Sequence, residues 1–306
     1  MRYWLQLPQA GWVATRENVR VYATLAEELG LHGVWLGDHI VIPFDYTSQY
    51  PYGSLHPVPP DRPFLEAYTT LAFVAGLTNK VRLAVTVAIA PYRHPLLHAK
   101  VVATLDVLSG GRLEVAVGSG WLREEFEALG ADFPRRQKVT DEYLEAMRML
   151  WAGEPVTFDG ETVAFARVQC LPRPAQKPHP PLWIGGSGNR AFERMERFNA
   201  GWLGPDLALS EFLEKLAAFR GRCASLGREL PGVSAKVWVE PAEQRAGDSL
   251  SISHSGGANL SVLAKLAEDG VSDIRVDLSR LPSGERPQHI LGVSRTLRKE
   301  GLLDGG

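Results

Sequence analysis

An aspartate and a histidine stand side by side in Gly37-Asp38-His39, directly after a short apolar segment. A carboxylate beside an imidazole can orient the ring, tune its charge or relay a proton, because histidine titrates near neutral pH. The structural alternative is that Asp38 caps a turn while His39 packs under the following loop. Spacing alone slightly favours that alternative, so the pair is a candidate for acid–base chemistry that depends on its surroundings.

Two glycine-rich segments could accommodate a flat or anionic ligand. Gly118-Ser119-Gly120 has little side-chain bulk, so a planar ring could approach its backbone closely. Gly185-Gly186-Ser187-Gly188 precedes an amphipathic segment, which predicts free N–H groups at a helix N-terminus and therefore an anion site. Neither segment is a Walker A motif or a complete dinucleotide-binding fingerprint, and an ordinary loop is the alternative for each.

The remaining reactive side chains are sparse. Lys236 lies in an apolar segment, where an interior lysine could form a Schiff base, although we prefer the interpretation that it points outward between helices. The eight histidines show no H-x-H or HExxH spacing, and Cys170 and Cys223 lack metal-ligand spacing. We therefore expect no metal centre and no disulfide framework, and we expect two buried thiols in a reducing compartment.

Strands and helices alternate along the chain and must position these side chains. Apolar segments predict eight strands, over residues 3–7, 33–36, 81–89, 112–117, 182–184, 200–203, 233–239 and 271–278. Amphipathic segments predict helices over residues 15–29, 63–76, 95–108, 140–151, 191–198, 211–224 and 260–268. Such alternation indicates parallel strands with helical crossovers. We predict an α/β fold, a (β/α)₈ TIM barrel, and an open doubly wound sheet is the alternative with the same local pattern.

Two insertions interrupt the alternation. Residues 40–62 follow strand two and are rich in Pro and Tyr, and residues 153–181 precede strand five. The second contains a predicted hairpin over 156–165 that turns at Asp159-Gly160. We expect the first insertion to lie at the barrel face that carries active sites, as a lid and not a linker, so the whole chain, 1–306, is predicted to be one domain.

Composition excludes several classes of protein. The net charge is −2 without blocks of either sign, which is unlike the basic surface of a nucleic-acid binder. No apolar segment approaches the ~18 residues that suggest a membrane span, and the first residues lack the pattern of a signal peptide. We expect a cytoplasmic protein that acts on a small molecule and does not bind nucleic acid or a membrane.

Several segments, taken in order, resemble the luciferase-like monooxygenase superfamily, and within it the branch of deazaflavin-dependent oxidoreductases. These segments are VWLGDHIVIP, VRLAVTVAIAPYRHPLLHAKVVATLDVLSGGRLEVAVGSGWLREEFEALG, DEYLEAMRMLW, PRPAQKPHPPLWIGGSG and NAGWLGP. The resemblance covers residues 1–205 and is most specific over 81–130, whereas the rest of the chain matches only in its strand–helix alternation.

The resemblance implies a closed barrel with a flavin or deazaflavin ring at its mouth. Members often carry a non-prolyl cis peptide that supports the ring, and here it would join Thr86 and Val87. Asp38 would contact the ring edge and His39 would donate a proton or contact substrate, so both are expected to be catalytic. The remaining cofactor contacts would be Ser119 and Gly120 along the polyol chain, Glu124 nearby, and Gly185, Gly186, Ser187 and Gly188 at the phosphate.

One position departs from the family pattern. Trp121 stands where the sugar-phosphate dehydrogenase branch has a catalytic acid, so oxidation of sugar phosphates is not expected. The leading hypothesis is hydride transfer between coenzyme F-420 and an organic substrate. The alternatives are a two-component FMN-dependent monooxygenase supplied by a separate reductase, a non-catalytic flavin-binding protein and, more remotely, a Schiff-base aldolase that uses Lys236. The resemblance also favours a homodimer.

Overall fold

The computed structural model describes residues 1–52, 59–240, 250–253, 260–281, 290–292 and 294–295. The strands are β1 Arg2–Gln6, β2 Gly33–Leu36, β3 Arg82–Ile89, β4 Leu113–Gly118, β5 Val156–Asp159, β6 Ala164–Val168, β7 Leu182–Gly185, β8 Gly201–Leu203, β9 Val233–Glu240, β10 Ser251–Ser253 and β11 Asp273–Asp277. The helices are α1 Arg16–Glu28, α2 Ala67–Leu77, α3 Pro95–Leu108, α4 Arg123–Ala128, α5 Arg136–Trp151, α6 Asn189–Phe198, α7 Leu209–Ser225 and α8 Leu260–Glu268.

Eight of these strands close into a parallel barrel. Their order is β1–β2–β3–β4–β7–β8–β9–β11, and β11 pairs with β1 to complete the circle. This confirms the (β/α)₈ barrel and excludes the open sheet. The predicted hairpin is also present, because β5 and β6 pair antiparallel outside the barrel.

Local sequence signals explain where several helices begin and end. The Thr15 side chain accepts a hydrogen bond from the Asn18 N–H and starts α1, while Pro95 occupies the first turn of α3, which has the predicted bounds. Helix α2 begins at Ala67 and not at residue 63, because Glu66 supplies its N-terminal cap. Helix α5 begins at Arg136, before the predicted residue 140, and the sequence did not predict the short α4 or strand β10.

Alternate strand residues face different environments. The large apolar core lies between the strands and the surrounding helices, and Leu5, Val34 and Val115 are among its buried members. The opposite faces of the strands carry tryptophans and charged groups: Trp183 Nε1–H donates to Glu114 Oε2 at 2.8 Å, and Trp4 Nε1–H donates to Asp273 Oδ1 at 2.9 Å. The barrel interior described here is therefore filled by large side chains with paired polar ends.

Two expected absences can be examined in the part of the chain that the structure describes. Within it, no helix is long and apolar enough to cross a membrane. The same residues contain no group of three or more His, Cys, Asp or Glu side chains that could hold a metal ion.

Candidate functional site at the barrel mouth

Two adjoining cavities open where the strands end. The first has a volume of about 510 Å³ and extends towards the Gly185–Gly188 segment, and the second has a volume of about 380 Å³ and extends towards His39. Trp35, Thr86, Val87 and Lys236 line both cavities. Each volume lies within the roughly 300–1,000 Å³ that is typical of small-molecule sites, so the mouth has room for two ligands that meet at the shared residues.

The end of β3 forms the boundary between the two cavities. The Thr86–Val87 peptide bond is cis, as the family resemblance implies. Val87 packs between two glycines, since a Cβ atom at Gly118 or at Gly185 would lie 2.5 Å from one of its methyl carbons. A Cβ at Gly120 would lie 2.6 Å from the Phe126 ring. These three glycines therefore make room for side chains of the protein itself, and the expected contacts of Gly120 with the polyol chain and of Gly185 with the phosphate stay predictions.

Two buried polar atoms at this boundary have no partner among the described residues. They are Oγ1 of Thr86 and Nε1 of Trp35, and both residues line the two cavities. A buried donor or acceptor without a partner costs free energy, so such atoms in a cavity wall indicate a ligand that completes them. A flavin or deazaflavin ring, whose edge carries carbonyl oxygens and ring nitrogens, fits this requirement.

The far end of the first cavity is suited to an anion. Helix α6 begins after Gly188, and its first N–H groups lie beyond the reach of the intrahelical ladder. Arg136 and Arg190 line the same cavity. Arg190 is 68% exposed and its nearest carboxylates, on Asp141 and Glu193, are 3.8–4.0 Å away. Neither arginine could be predicted from the sequence as a site residue, because the two come from separate helices, α5 and α6.

Ser119 lies in this cavity with its hydroxyl already held by the protein. Arg194 donates to Ser119 Oγ at 2.8 Å, and that oxygen lies 3.1 Å from Gln137 Oε1. Arg194 also contacts Asp141 at 2.5 Å and is itself buried. Ser119 and Arg194 therefore fix the wall, and contact between Ser119 and a polyol chain stays a prediction.

His39 forms a short contact with a buried carboxylate that is distant in sequence. Its Nδ1 lies 2.6 Å from Glu125 Oε2, and the Glu125 side chain is fully buried while that of His39 is 19% exposed. The same carboxylate accepts hydrogen bonds from the N–H groups of Ile40 at 2.7 Å and Val41 at 3.3 Å, and from the Tyr92 hydroxyl at 2.9 Å. Because three other donors already surround this carboxylate and an ionised carboxylate only accepts, we assign the proton of a neutral His39 ring to Nδ1, which leaves Nε2 as the nitrogen that faces away from Glu125.

The orienting carboxylate of His39 is thus Glu125 and not the adjacent Asp38. Asp38 faces Arg93 instead, with oxygen–nitrogen distances of 2.7 and 2.9 Å, and accepts the Ile89 N–H at 2.9 Å. Burial alone would lower the pKa of Arg93, but the hydrogen bonds and charge of Asp38 raise it. Asp38 lines the second cavity, yet these contacts favour a structural role that joins β2 to the end of β3, and its predicted catalytic role stays untested.

Glu124 is not among the residues that line the two cavities, and it binds the loop after β2. Its Oε1 accepts hydrogen bonds from the N–H groups of Thr47 and Ser48 at 2.7 and 3.1 Å. Although desolvation opposes the shift, these backbone hydrogen bonds lower the pKa of Glu124 to about 2. The loop that it anchors carries Tyr50, whose ring lies 5.4 Å from that of Trp121 and which lines both cavities. The expected contact of Glu124 with the cofactor stays a prediction, whereas the next residue of α4, Glu125, contacts His39 and Tyr92, which line the second cavity.

Lys236 lies inside the barrel mouth, so the preferred interpretation of an outward lysine is wrong. Its side chain is 11% exposed, and Nζ lies 3.0 Å from Asp277 Oδ2. Nζ also lies 3.8 Å from the centre of the Trp238 ring and 5.9 Å from that of Trp35. Because Nζ is already engaged by a carboxylate and by indole faces, this geometry does not favour the attack on a carbonyl that a Schiff base requires.

The chain belongs to the luciferase-like monooxygenase family, whose model matches residues 3–262. An uncharacterized protein of Mycobacterium tuberculosis is 36% identical over 184 residues, which are 59% of this chain and 65% of that protein. An FMNH(2)-dependent dimethylsulfone monooxygenase of Pseudomonas putida is 28% identical over 185 residues, 59% of this chain and 51% of that enzyme. The chain thus matches about half to two thirds of the length of these relatives.

Solved structures share the fold at lower identity. An F420-dependent secondary alcohol dehydrogenase in complex with an F420–acetone adduct superposes with a TM-score of 0.78 at 18% identity, over 99% of both chains. Deazaflavin-dependent and flavin-dependent proteins therefore both occur among the similar proteins. The expected homodimer and cytoplasmic location stay predictions.

Proposed function

We propose that this protein transfers a hydride between coenzyme F-420 and a small alcohol or carbonyl compound. The observation that supports the proposal best is the contact between His39 and Glu125 on the wall of the second cavity, beside the residues that would hold the ring. The cofactor would supply the acceptor or donor of the hydride. The second cavity would hold the substrate, and a proton must leave or join the substrate oxygen in the same reaction.

The protein's own residues would then divide the work. The α6 N-terminus with Arg136 and Arg190 would bind the phosphate, and Thr86 and Trp35 would orient the ring edge. His39 Nε2 would take the proton from an alcohol as its carbon gives up a hydride, and would return that proton in the reverse direction. Glu125 would fix the tautomer and stabilise the imidazolium that forms, and Trp121 and Tyr50 would limit the access of water.

The proposal is tested by titrating the purified protein with oxidised F-420 and with FMN, and then by screening alcohols for loss of the oxidised deazaflavin absorbance. We expect F-420 to bind more tightly than FMN. We expect His39→Ala to bind F-420 normally and to lose about 10²–10⁴-fold in turnover, the usual loss for a general acid–base group. Exposed Glu127, on the same short helix as Glu125, offers Glu127→Gln as a matched control with full activity.

One result would reverse this order of candidates. Tight FMN binding without F-420 binding would favour the second candidate, a monooxygenase that receives reduced FMN from a separate reductase. The observation that supports this second candidate is the 28% sequence identity to an FMNH(2)-dependent enzyme over 59% of this chain. Binding of either cofactor without turnover of any substrate would instead favour a flavin-binding protein. We also propose that residues 1–306 form one domain, since the family match already spans most of the barrel.

A further inference from the structure

The charged side chains that line the second cavity are all paired with other residues of the protein. Among the residues that the structure describes, these charged side chains are Asp38, His39, Lys236 and Asp277. Asp38 is bound by Arg93, His39 by Glu125, and Lys236 by Asp277. The amide of Gln9 is also satisfied, since its nitrogen donates to Gly37 O and Leu65 O at 2.8 Å and its oxygen accepts the Gly37 N–H at 2.8 Å.

The rest of the cavity wall is mainly apolar. Leu7, Pro8, Phe64, Ile89 and Leu278 contribute carbon surface, and the rings of Trp35 and Trp121 also line the cavity. Among the residues that the structure describes, a ligand in this cavity therefore meets much apolar surface and no charged side chain that lacks a partner. Besides Thr86 Oγ1 and Trp35 Nε1, which we assign to the ring, the outer nitrogen of His39 is a polar group that such a ligand can meet.

Asp277 pairs with Lys236 and so neutralises the charge of this lysine at the cavity wall. Its side chain is 2% exposed, and besides Lys236 it accepts the Ser279 N–H at 2.8 Å. With the Gln6 amide oriented so that its nitrogen faces the carboxylate, Gln6 donates to Asp277 Oδ2 at 3.2 Å. These donors hold the carboxylate where it neutralises Lys236. Without Asp277, Lys236 would present an uncompensated ammonium to the substrate.

We propose that Asp277 sets the charge selectivity of this protein, by neutralising Lys236 so that the second cavity accepts uncharged, largely apolar alcohols and ketones and rejects carboxylates and phosphates. An anion that enters the cavity would lose its hydration, and Lys236 would not compensate it because Asp277 already pairs with that lysine. Binding an anion there would therefore cost free energy. The inference rests on the proposed function only in taking the second cavity as the substrate side. It adds a substrate class and a residue that enforces it.

The test compares ligands of nearly equal shape and different charge. Acetophenone and benzoate differ at one position, a methyl group against an anionic oxygen, and their binding to the full chain is measured by calorimetry with and without F-420. We expect the wild-type protein to bind acetophenone at least about tenfold more tightly than benzoate, since about 1.4 kcal/mol corresponds to a factor of ten. In Asp277→Asn we expect benzoate to gain about tenfold while acetophenone changes little.

A second variant separates charge from packing. The double variant Asp277→Asn, Lys236→Met should lose the gain for benzoate, because the freed ammonium is gone. Equal wild-type affinity for the two ligands, no binding by any ketone from acetone to acetophenone, or an unchanged ratio in folded Asp277→Asn would each overturn the proposal. The wild-type comparison needs no variant and therefore stands even if Asp277→Asn does not fold.

Binding is measured apart from turnover, so the two proposals can fail separately. If ketones bind selectively and no deazaflavin is oxidised or reduced, the hydride-transfer proposal fails and the charge selectivity stands. If turnover occurs with carboxylate substrates as readily as with ketones, the charge selectivity fails and hydride transfer stands.

Discussion

Glu125→Gln isolates the role of the buried carboxylate, because it preserves the shape of the side chain and removes the charge. The amide oxygen can still accept the N–H groups of Ile40 and Val41. The amide nitrogen, however, would replace the oxygen that now lies 2.6 Å from His39 Nδ1 and 2.9 Å from the Tyr92 hydroxyl. Both groups would then face a donor, and His39 would satisfy it by moving its proton from Nδ1 to Nε2.

This tautomer change gives the expected magnitude. An imidazole with its proton on Nε2 cannot accept the substrate proton there, so the rate should fall by about 10²–10⁴-fold, as when a general base is lost. The same replacement of a carboxylate by an amide behind a catalytic histidine costs about 10⁴-fold in serine proteases. Because Tyr92 can turn its hydroxyl to accept, we expect the loss of unfolding free energy to be modest, about 1–3 kcal/mol.

Two measurements test the prediction independently. Nitrogen-15 NMR of the imidazole should show the Nδ1–H tautomer in the wild-type protein and the Nε2–H tautomer in Glu125→Gln, and this readout requires no substrate. The pH–rate profile should lose its histidine limb in the variant. Glu127→Gln is the control and should alter neither. A Glu125→Gln protein with the wild-type tautomer and full turnover would refute the assignment of His39 as the base.

Three other substitutions follow from the contacts. Asp38→Asn breaks a buried pair with Arg93 and should lower the unfolding free energy by about 3–5 kcal/mol, as measured in denaturant titrations. The rate per folded molecule should fall little. A large loss of rate in a protein of normal stability would instead indicate that Asp38 is catalytic. Gly185→Ala places a methyl group 2.5 Å from Val87 and should cost about 1–3 kcal/mol in thermal unfolding, unlike Gly221→Ala, which has open space around its Cβ. Gly186→Glu adds bulk and a negative charge to the anion end of the first cavity and should weaken both F-420 and FMN in fluorescence titrations; unchanged affinity would remove this segment from the site.

The barrel could be predicted from the sequence because its signals are local. Helix α3 has its proline at the start, and Gly110 and Gly111 after its end both have positive φ values, of +68° and +81°. Strand β3 likewise ends at Ile89 as predicted, with apolar residues in nearly every position. Helix α4 has only six residues, which is less than two turns, so no periodicity could reveal it.

The contacts that complete the site depend on long-range geometry. Glu125 reaches His39 across 86 positions of sequence, and adjacent residues of a helix differ in direction by about 100°, so only the placement of α4 decides that Glu125 and not Glu124 faces inward. Lys236 has buried residues on both sides in sequence, which is equally compatible with a side chain inside or outside the barrel. Its pairing with Asp277, from a strand 41 residues later, is what fixes it inside.

The closed barrel also explains why the mouth divides into two chemically different cavities. Strands β4, β7 and β8 and the start of α6 surround the first cavity, where glycines and arginines suit an anionic chain. Residues of β1, β2 and β11 line the second, where carbon surface and internally paired charges suit a neutral molecule, while Lys236 of β9 lines both cavities and Arg275 of β11 lines the first. Strand β3 lies between these two groups in the barrel order, and Thr86 and Val87 at its end line both cavities. A ring bound at β3 would therefore extend its tail to one side and present a face to the other, which is the arrangement that hydride transfer to an uncharged substrate requires.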